Sequence, residues 1–419
     1  MSAIPARAMR EVIEFTLARE SLEAEAFQKG RAWIELDMEN LRRNVSILRG
    51  ILPGGCELMP SVKANAHGHG AVEICKELNA LGVNAFCVAS VTEGVELRKN
   101  HIRGEILILG YTHPELFPLL GRNGLTQTVI DGEYAAKLNA YANESGGQKL
   151  SCHIKIDTGM NRLGVPASNT DDVLRIFECE NLDVTGVYSH LCAQNSGDEI
   201  HRAFTEAQLE EFNHVLKAIG AHGRHMPRIH LQSSFGVFSR PDLRCDFARV
   251  GMALYGVYRN CACNAPDAGN ARDSGIVDRT ISSAGLRPVL SLKARVSAVK
   301  DVHAGEAVGY ELAFIAAHGM KLAVLSIGYA DGLPRALSCG AGHVLIGGKT
   351  APVVGNICMD QTMVDVSGIE GVRQGDVAVI IGRDGGAEIS AYDIAAQAGT
   401  VPNEILGRLG GRLERCARR

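Results

Sequence analysis

Between residues 32 and 260, short apolar runs alternate with longer stretches of helical periodicity. The runs are 57–63, 85–89, 105–109, 126–130, 151–157, 183–190, 228–232 and 250–257. Their spacing is that of βα units. Eight such units in about 220 residues predict an α/β fold, a (β/α)8 barrel of TIM-like build. A doubly wound open sheet would hold the same elements, but has no reason to stop at eight. Ahead of the runs, Ala32-Trp33-Ile34-Glu35-Leu36-Asp37 alternates as a strand, and residues 1–30 read as a charged helical extension.

The texture changes after Tyr258. Residues 259–285 are rich in Asn, Asp, Gly, Ala and Ser and read as a linker. From Leu290 onward, strand-like runs with glycine turns follow at 289–299, 321–327, 343–347, 363–366 and 376–381, predicting a mostly-β domain. Residues 390–412 are helical in character, with Pro402 opening a last helix. The expected division is an extension over 1–30, a barrel over 31–270 and a β-rich domain over 271–419. The strand at 32–37 is placed to pair with the C-terminal domain.

Composition narrows the function. The 419 residues are 46% hydrophobic and 21% charged, which excludes a disordered chain. The net charge is −4, with both signs mixed and no basic run, which argues against a nucleic-acid binder. No stretch of 18 apolar residues reads as a membrane span. Arg7, Arg10, Glu11, Glu14 and Arg19 break the start where a signal peptide would need an apolar core. Twelve scattered cysteines read as reduced thiols, so the expected location is the cytoplasm. The close pair in Cys261-Ala262-Cys263 lacks the second half of a zinc site.

In a (β/α)8 barrel, reactive groups gather where strands end, because the βα loops form the mouth. The first run ends in Val62-Lys63-Ala64-Asn65-Ala66-His67-Gly68-His69-Gly70 and the fifth in Lys155-Ile156-Asp157-Thr158-Gly159-Met160-Asn161-Arg162. The sixth ends in Tyr188-Ser189-His190, the seventh in Gln232-Ser233-Ser234, and Arg249-Val250-Gly251-Met252 opens the eighth. Lys63 is either a snorkelling surface group or a placed amine. Desolvation would lower its pKa and make it a nucleophile toward an aldehyde cofactor. His67 and His69 are too few to hold a metal, and no metal is expected. The flanking glycines instead suggest backbone approaching a ligand. Gly347-Gly348-Lys349-Thr350 lacks the earlier glycine of a phosphate loop, and His222 and His225 read as surface groups. The second domain has two conspicuous glycine-bounded segments, Gly305-Glu306-Ala307-Val308-Gly309-Tyr310 and Gly355-Asn356-Ile357-Cys358-Met359-Asp360-Gln361.

Together these segments resemble the alanine racemase family, the fold-type III pyridoxal-phosphate enzymes, from about Arg31 to Arg412. Val62-Lys63-Ala64-Asn65-Ala66 with Gly68-His69-Gly70 is similar to the family's cofactor-lysine motif. Lys155 to Gly164 and Ile357 to Gln361 match two more motifs, and all three in order are highly specific. Residues 106–111, 286–291 and 408–413 are more similar to the serine/alanine racemase branch found with vancomycin resistance, whose members typically carry membrane helices.

The resemblance implies pyridoxal 5′-phosphate as cofactor and an isomerase supplying D-alanine, and serine as a further substrate, for peptidoglycan. Lys63 would hold the cofactor aldehyde and act as base on one face of Cα. Tyr310 of the partner subunit would act on the opposite face, since inversion needs one group taking a proton and another giving one. A phenol with an ordinary pKa near 10 needs its anion stabilised, a role for His190 and Arg249. Arg249 would face the pyridine nitrogen, and as a permanent cation would leave that nitrogen unprotonated. Arg162 and the Met359 amide would take the substrate carboxylate. Lys155, at a position often carbamylated, would orient Arg162. Ser234, Gly251, Met252 and His67 would hold the phosphate. Tyr310, Met359 and Asp360 would serve the partner's site, implying a homodimer that shares its active sites. Three positions depart from the family: His67 and Gly411 where tyrosines are usual, and Asn356 where an arginine is common. The alternatives are a serine or broad-specificity racemase, a fold-type III decarboxylase, or a non-enzymatic cofactor carrier. Lys155, Arg162 and Arg249 argue against a decarboxylase, and the retained Tyr310 and Met359 against a carrier.

Overall fold

The computed structural model describes residues 30–193, 199–257 and 285–418. The expected extension before residue 30, the Cys261 and Cys263 pair and nearly all of the linker at 259–285 lie outside the described residues. The chain divides into two compact units, one over residues 38–289 and one that joins the 32–37 strand to residues 290–419.

The first strand, β1 (Ala32–Asp37), belongs to the second unit. In the first unit, β2 (Glu57–Leu58), β3 (Ala85–Val88), β4 (Glu105–Ile108), β5 (Thr126–Val129) and β6 (Leu150–Asp157) run in chain order. A two-residue strand β7 (Val165–Pro166) pairs only with β6. Then come β8 (Leu182–Tyr188), β9 (Arg228–His230) and β10 (Phe247–Ala248). The pairs β3–β4, β4–β5, β5–β6, β6–β8 and β8–β9 are all parallel. The seams close the ring. Cys87 N donates to Pro60 O, Asp246 N donates to Ile229 O, and β10 pairs with β2 in parallel. Eight parallel strands thus form the barrel.

β3 and β5 are buried at every position, as strands covered by helices outside and side chains inside must be. Helices such as Ala71–Ala80, Val91–Lys99 and Gly132–Glu144 follow their strands. Ser90 and Asp131 cap two of them by accepting from the amides of Glu93 and Tyr134.

One strand assignment needs correction. The apolar run 250–257 is a buried turn, and the eighth strand is Phe247–Ala248 just before it. Ser234 Oγ accepts from the amides of Gly251 and Ala253, and Leu254 N donates to Gly251 O. Those amides are spent locally and cannot form a ladder. A short buried run reads alike as strand or turn.

In the second unit, β11 (Leu290–Val302) is long enough to pair with three neighbours. With β14 (Met320–Leu325), β15 (His343–Ile346), β16 (Lys349–Val354), β17 (Thr362–Asp365) and β18 (Val377–Asp384) it makes a closed antiparallel ring. β12 (Ala307–Val308) and β13 (Phe314–Ile315) form a separate small ribbon, and β19 (Ala387–Ile389) extends β18. β1 lies antiparallel to β11, with Ile34 opposite Leu292, and parallel to β20 (Glu414–Arg418). The helices Ala391–Ala398 and Pro402–Gly407 occupy the span read as helical, with Pro402 in the first turn. Among the described residues, no helix is long and apolar enough to cross a membrane.

Candidate active site

Lys63 is half-buried, just past Ser61 and Val62, which tie β2 to β10 and β3. Ala64, Asn65, Ala66 and His67 then all take φ between 51° and 54°, a left-handed turn of four residues that carry side chains. Each such residue costs about 1–2 kcal/mol, so the turn persists only where its surroundings hold it. The Glu93 carboxylate does so, accepting from Ala64 N at 2.7 Å and Ala89 N at 2.7 Å. Asn65 Oδ1 also accepts from Ala71 N at 2.7 Å. The turn swings His67 inward. Its ring lies 3.5 Å from where a Cβ on Gly251 would stand, so the glycine leaves a cradle beside the imidazole. His67 Nδ1 is buried without a hydrogen-bond partner. Burial first, then the charge of Lys63, pushes this imidazole down to about 4.

Arg249 is a buried cation of the barrel, 6% exposed. Its Nη1 donates to His230 Nδ1 at 2.6 Å and His230 O at 2.8 Å, and its Nη2 donates to Ser189 O at 2.6 Å. None of these bonds uses Nε. The guanidinium also lies over the Tyr188 ring, 4.9 Å from its centroid. His190 Nδ1 is 3.5 Å from Nη2. Burial, then Arg249, Arg162, Lys155 and Lys63 in turn, push His190 down to about 3. Four cations therefore surround one neutral imidazole, and the mouth is built for anions. Lys155 is buried and pushed down to about 8, by desolvation first and then by Arg249 and Arg162, against the opposing Asp157. Arg162 is exposed on the loop after β6.

Ser234 begins the short helix after β9, and its hydroxyl holds the Gly251 and Ala253 amides at 2.9 and 3.2 Å. Met252 follows on the same turn. Lys63, His67, Lys155, Arg162, His190, Ser234, Arg249, Gly251 and Met252 thus all belong to the barrel unit, at or just beyond strand ends. Tyr310, Met359 and Asp360 belong to the β unit. Tyr310 is 67% exposed on a strained loop in which Glu311 and Leu312 have positive φ. Asn356 Nδ2 donates to Tyr310 O at 3.3 Å and to Glu311 Oε2 at 3.2 Å, so this departure residue braces the loop. Met359 is 52% exposed. Asp360 accepts from Arg412 Nη2 at 2.6 Å. A Cβ at the neighbouring Gly411 would meet nothing within 4 Å. Among the described residues, no cluster of His, Cys, Asp or Glu could hold a metal.

Several residues behind this site went unread in the sequence. Glu93 looks like any acidic residue in a first helical turn. Gln208, far along the Glu199–Ala221 helix, donates to Thr158 Oγ1 and His190 O and so ties the loops after β6 and β8. His153 reaches across β8 because position 186 is glycine, where a Cβ would stand 2.6 Å from the imidazole ring. Gly186→Ala is expected to destabilise the barrel by about 1–3 kcal/mol, the usual range for overpacking, read by denaturant unfolding.

The residues fit pyridoxal phosphate. The cradle between Gly251 and His67 and the unpartnered Nδ1 suit a phosphate, Arg249 Nε is free to donate, and Lys63 offers an amine at the same mouth. The family described as alanine racemase, N-terminal domain, matches residues 36–259, and alanine racemase, C-terminal domain, matches 289–417. The chain belongs to the alanine racemase family. It is 40% identical over 383 residues to an amino-acid racemase of Enterococcus faecalis, covering 91% of this chain and 51% of that protein. It thus spans about half the length of that relative. It is 39% identical over 385 residues to the alanine racemase of Carboxydothermus hydrogenoformans, covering 91% and 98%. The crystal structure of alanine racemase from Bartonella henselae with covalently bound pyridoxal phosphate superposes with a TM-score of 0.76 at 26% identity, covering 93% and 100%.

Proposed function

We propose that the protein is a pyridoxal-phosphate-dependent racemase of small amino acids, alanine first and serine with it. The observation that carries this reading is Arg249, a buried cation at the mouth that contacts carbonyls and imidazoles and no carboxylate. Pyridoxal phosphate, when bound, supplies a conjugated ring that withdraws electrons from the substrate amino nitrogen and so acidifies the Cα–H. A carboxylate facing the ring nitrogen would keep it protonated and favour deep electron withdrawal, as decarboxylation and transamination require. A permanently charged arginine donates to that nitrogen without protonating it. Withdrawal is then moderate, which favours return of the proton to Cα.

Lys63 would hold the cofactor aldehyde, and its amine would take or return the proton on one face of Cα. The partner subunit's Tyr310 serves the other face, so the working form is a homodimer with shared sites. The exposed Tyr310, Leu312 and Met359 give that dimer apolar surface to cover. Arg162 binds the substrate carboxylate. Lys155, with its pKa near 8, keeps enough free amine at neutral pH to take up carbon dioxide, and as a carbamate it would orient Arg162. His67, the Ser234 hydroxyl and the Met252 amide hold the phosphate in the space that Gly251 leaves, the Gly251 amide being taken by Ser234 Oγ. Gly411, where the resemblance implies a tyrosine, is the reason for including serine, whose hydroxymethyl is larger than the methyl of alanine.

The test is chiral chromatography of cofactor-loaded protein given L-alanine and L-serine separately. D-alanine and D-serine at comparable rates are expected. Alanine turnover exceeding serine turnover by orders of magnitude would remove serine, and no D-product from either would remove the reading.

A further inference from the structure

A buried guanidinium without a carboxylate is uncommon, because the charge loses its hydration and gains no partner. Among the described residues, none of the contacts of Arg249 is a carboxylate. The nearest carboxylate in its hydrogen-bonded network lies two imidazoles away. Arg249 Nη1 meets His230 Nδ1 at 2.6 Å, His230 Nε2 meets His153 Nδ1 at 2.9 Å, and His153 Nε2 lies 2.8 Å from Glu105 Oε1. The last contact is short but poorly aligned, so it acts through charge more than through an in-line bond. Glu105 Oε2 then accepts from Arg228 at 2.5 Å at the rim. His153, His230 and Arg249 are all buried.

The donor order along this chain has one solution. Arginine only donates, so His230 Nδ1 must accept. His230 then carries its proton on Nε2 and gives it toward His153 Nδ1. His153 in turn carries its proton on Nε2, beside an ionised Glu105. Both imidazoles are neutral, and every dipole points from the arginine toward the carboxylate. The surroundings agree. Burial, then Arg249 and His153, hold His230 well below its ordinary value. Burial alone would raise the Glu105 carboxyl, but His153 and Arg228 outweigh it. The other titratable groups facing Arg249 are His190, Tyr188, Lys155, Cys87 and Cys245, none of them a carboxylate. Tyr188 stacks on the His230 ring at 4.6 Å, and Gly186 leaves room for the His153 ring to cross from β6 to β9.

We propose that Glu105, His153 and His230 are positioning residues that serve as the remote counter-charge of Arg249 and fix it against the cofactor ring nitrogen. The proposal rests on the reading of Arg249 as the partner of that nitrogen. Its consequence is that a carboxylate at the start of β4 governs chemistry at the opposite mouth, although that end of a barrel ordinarily serves stability alone.

The experiment loads the full-length protein with pyridoxal phosphate isotopically labelled at the ring nitrogen and records that nitrogen's NMR resonance. Glu105→Gln and His230→Leu are compared with wild type and with Arg228→Met, which breaks the outer ion pair but keeps the carboxylate. In the first two variants the resonance is expected to move toward that of an unbonded pyridine. Alanine turnover should fall about ten- to a hundredfold with KM nearly unchanged, as expected for a displaced catalytic contact. Arg228→Met should match wild type. Both losses should vanish when a cofactor analogue with carbon in place of the ring nitrogen is used. An unmoved resonance in whichever of the two variants folds, or an equal loss with the analogue, would overturn the proposal. A wild-type protein that neither binds the cofactor nor racemises alanine would instead remove the functional reading beneath it.

Discussion

Lys63→Ala is expected to abolish racemisation, a fall of at least about a thousandfold in alanine turnover, and to end covalent attachment of the cofactor aldehyde. Both losses follow from removing one amine, since that amine is both the nucleophile toward the aldehyde and the base on one face of Cα. The fold should survive. Lys63 lies outside the four left-handed residues, and those are held by Glu93 and Asn65, which the substitution leaves alone. The phosphate cradle at His67, Ser234 and Gly251 is also intact, so the cofactor should still bind, reversibly and more weakly. Absorbance of the bound cofactor, with and without reductive trapping, reads the attachment, and chiral chromatography reads the turnover. Added methylamine should restore part of the activity, because a small free amine can replace a missing side chain but not a collapsed site. Turnover within tenfold of wild type would remove Lys63 from the chemistry.

Why Lys63 was legible and its support was not is a matter of range. Lys63, Lys155 and His190 stand at the ends of apolar runs, Ser234 just after one and Arg249 at the start of one, so local sequence finds them. Tyr310 and Met359 stand in glycine-bounded loops of the other unit, and only the family resemblance gave them a role. Glu93 supports a turn 29 residues earlier. His153 and His230 are 77 residues apart, and nothing in either local segment announces the other. Similar limits apply to the fold. β3 and β4 read as apolar runs because they are buried on both faces. β16 carries Pro352, and β20, Glu414-Arg415-Cys416-Ala417-Arg418, is mostly polar. Both are strands because neighbours pair with them, not because of any pattern of their own.

The role given to Tyr310 has a sharper consequence than a loss of rate. With two bases on opposite faces, each acts on a different enantiomer, so deleting one should split the reaction. Tyr310→Phe removes one hydroxyl and keeps the ring. The side chain is 67% exposed, and the loop geometry is set by Gly309, Glu311 and Asn356, so the substitution should leave stability nearly unchanged. Racemisation is expected to fall about 10²–10⁴-fold, the usual worth of a positioned acid–base group. In deuterated water, one enantiomer of alanine should still exchange its Cα hydrogen without inverting, because Lys63 can take and return a proton on its own face. The other enantiomer should neither exchange nor invert. A single-base enzyme behaves differently: it would lose exchange for neither enantiomer when Tyr310 is changed. Mass spectrometry of the recovered amino acid, after separation of the enantiomers, distinguishes the two cases. Exchange retained equally by both enantiomers, or inversion near the wild-type rate, would show that Tyr310 is not the second base and that the opposite face is served by another group.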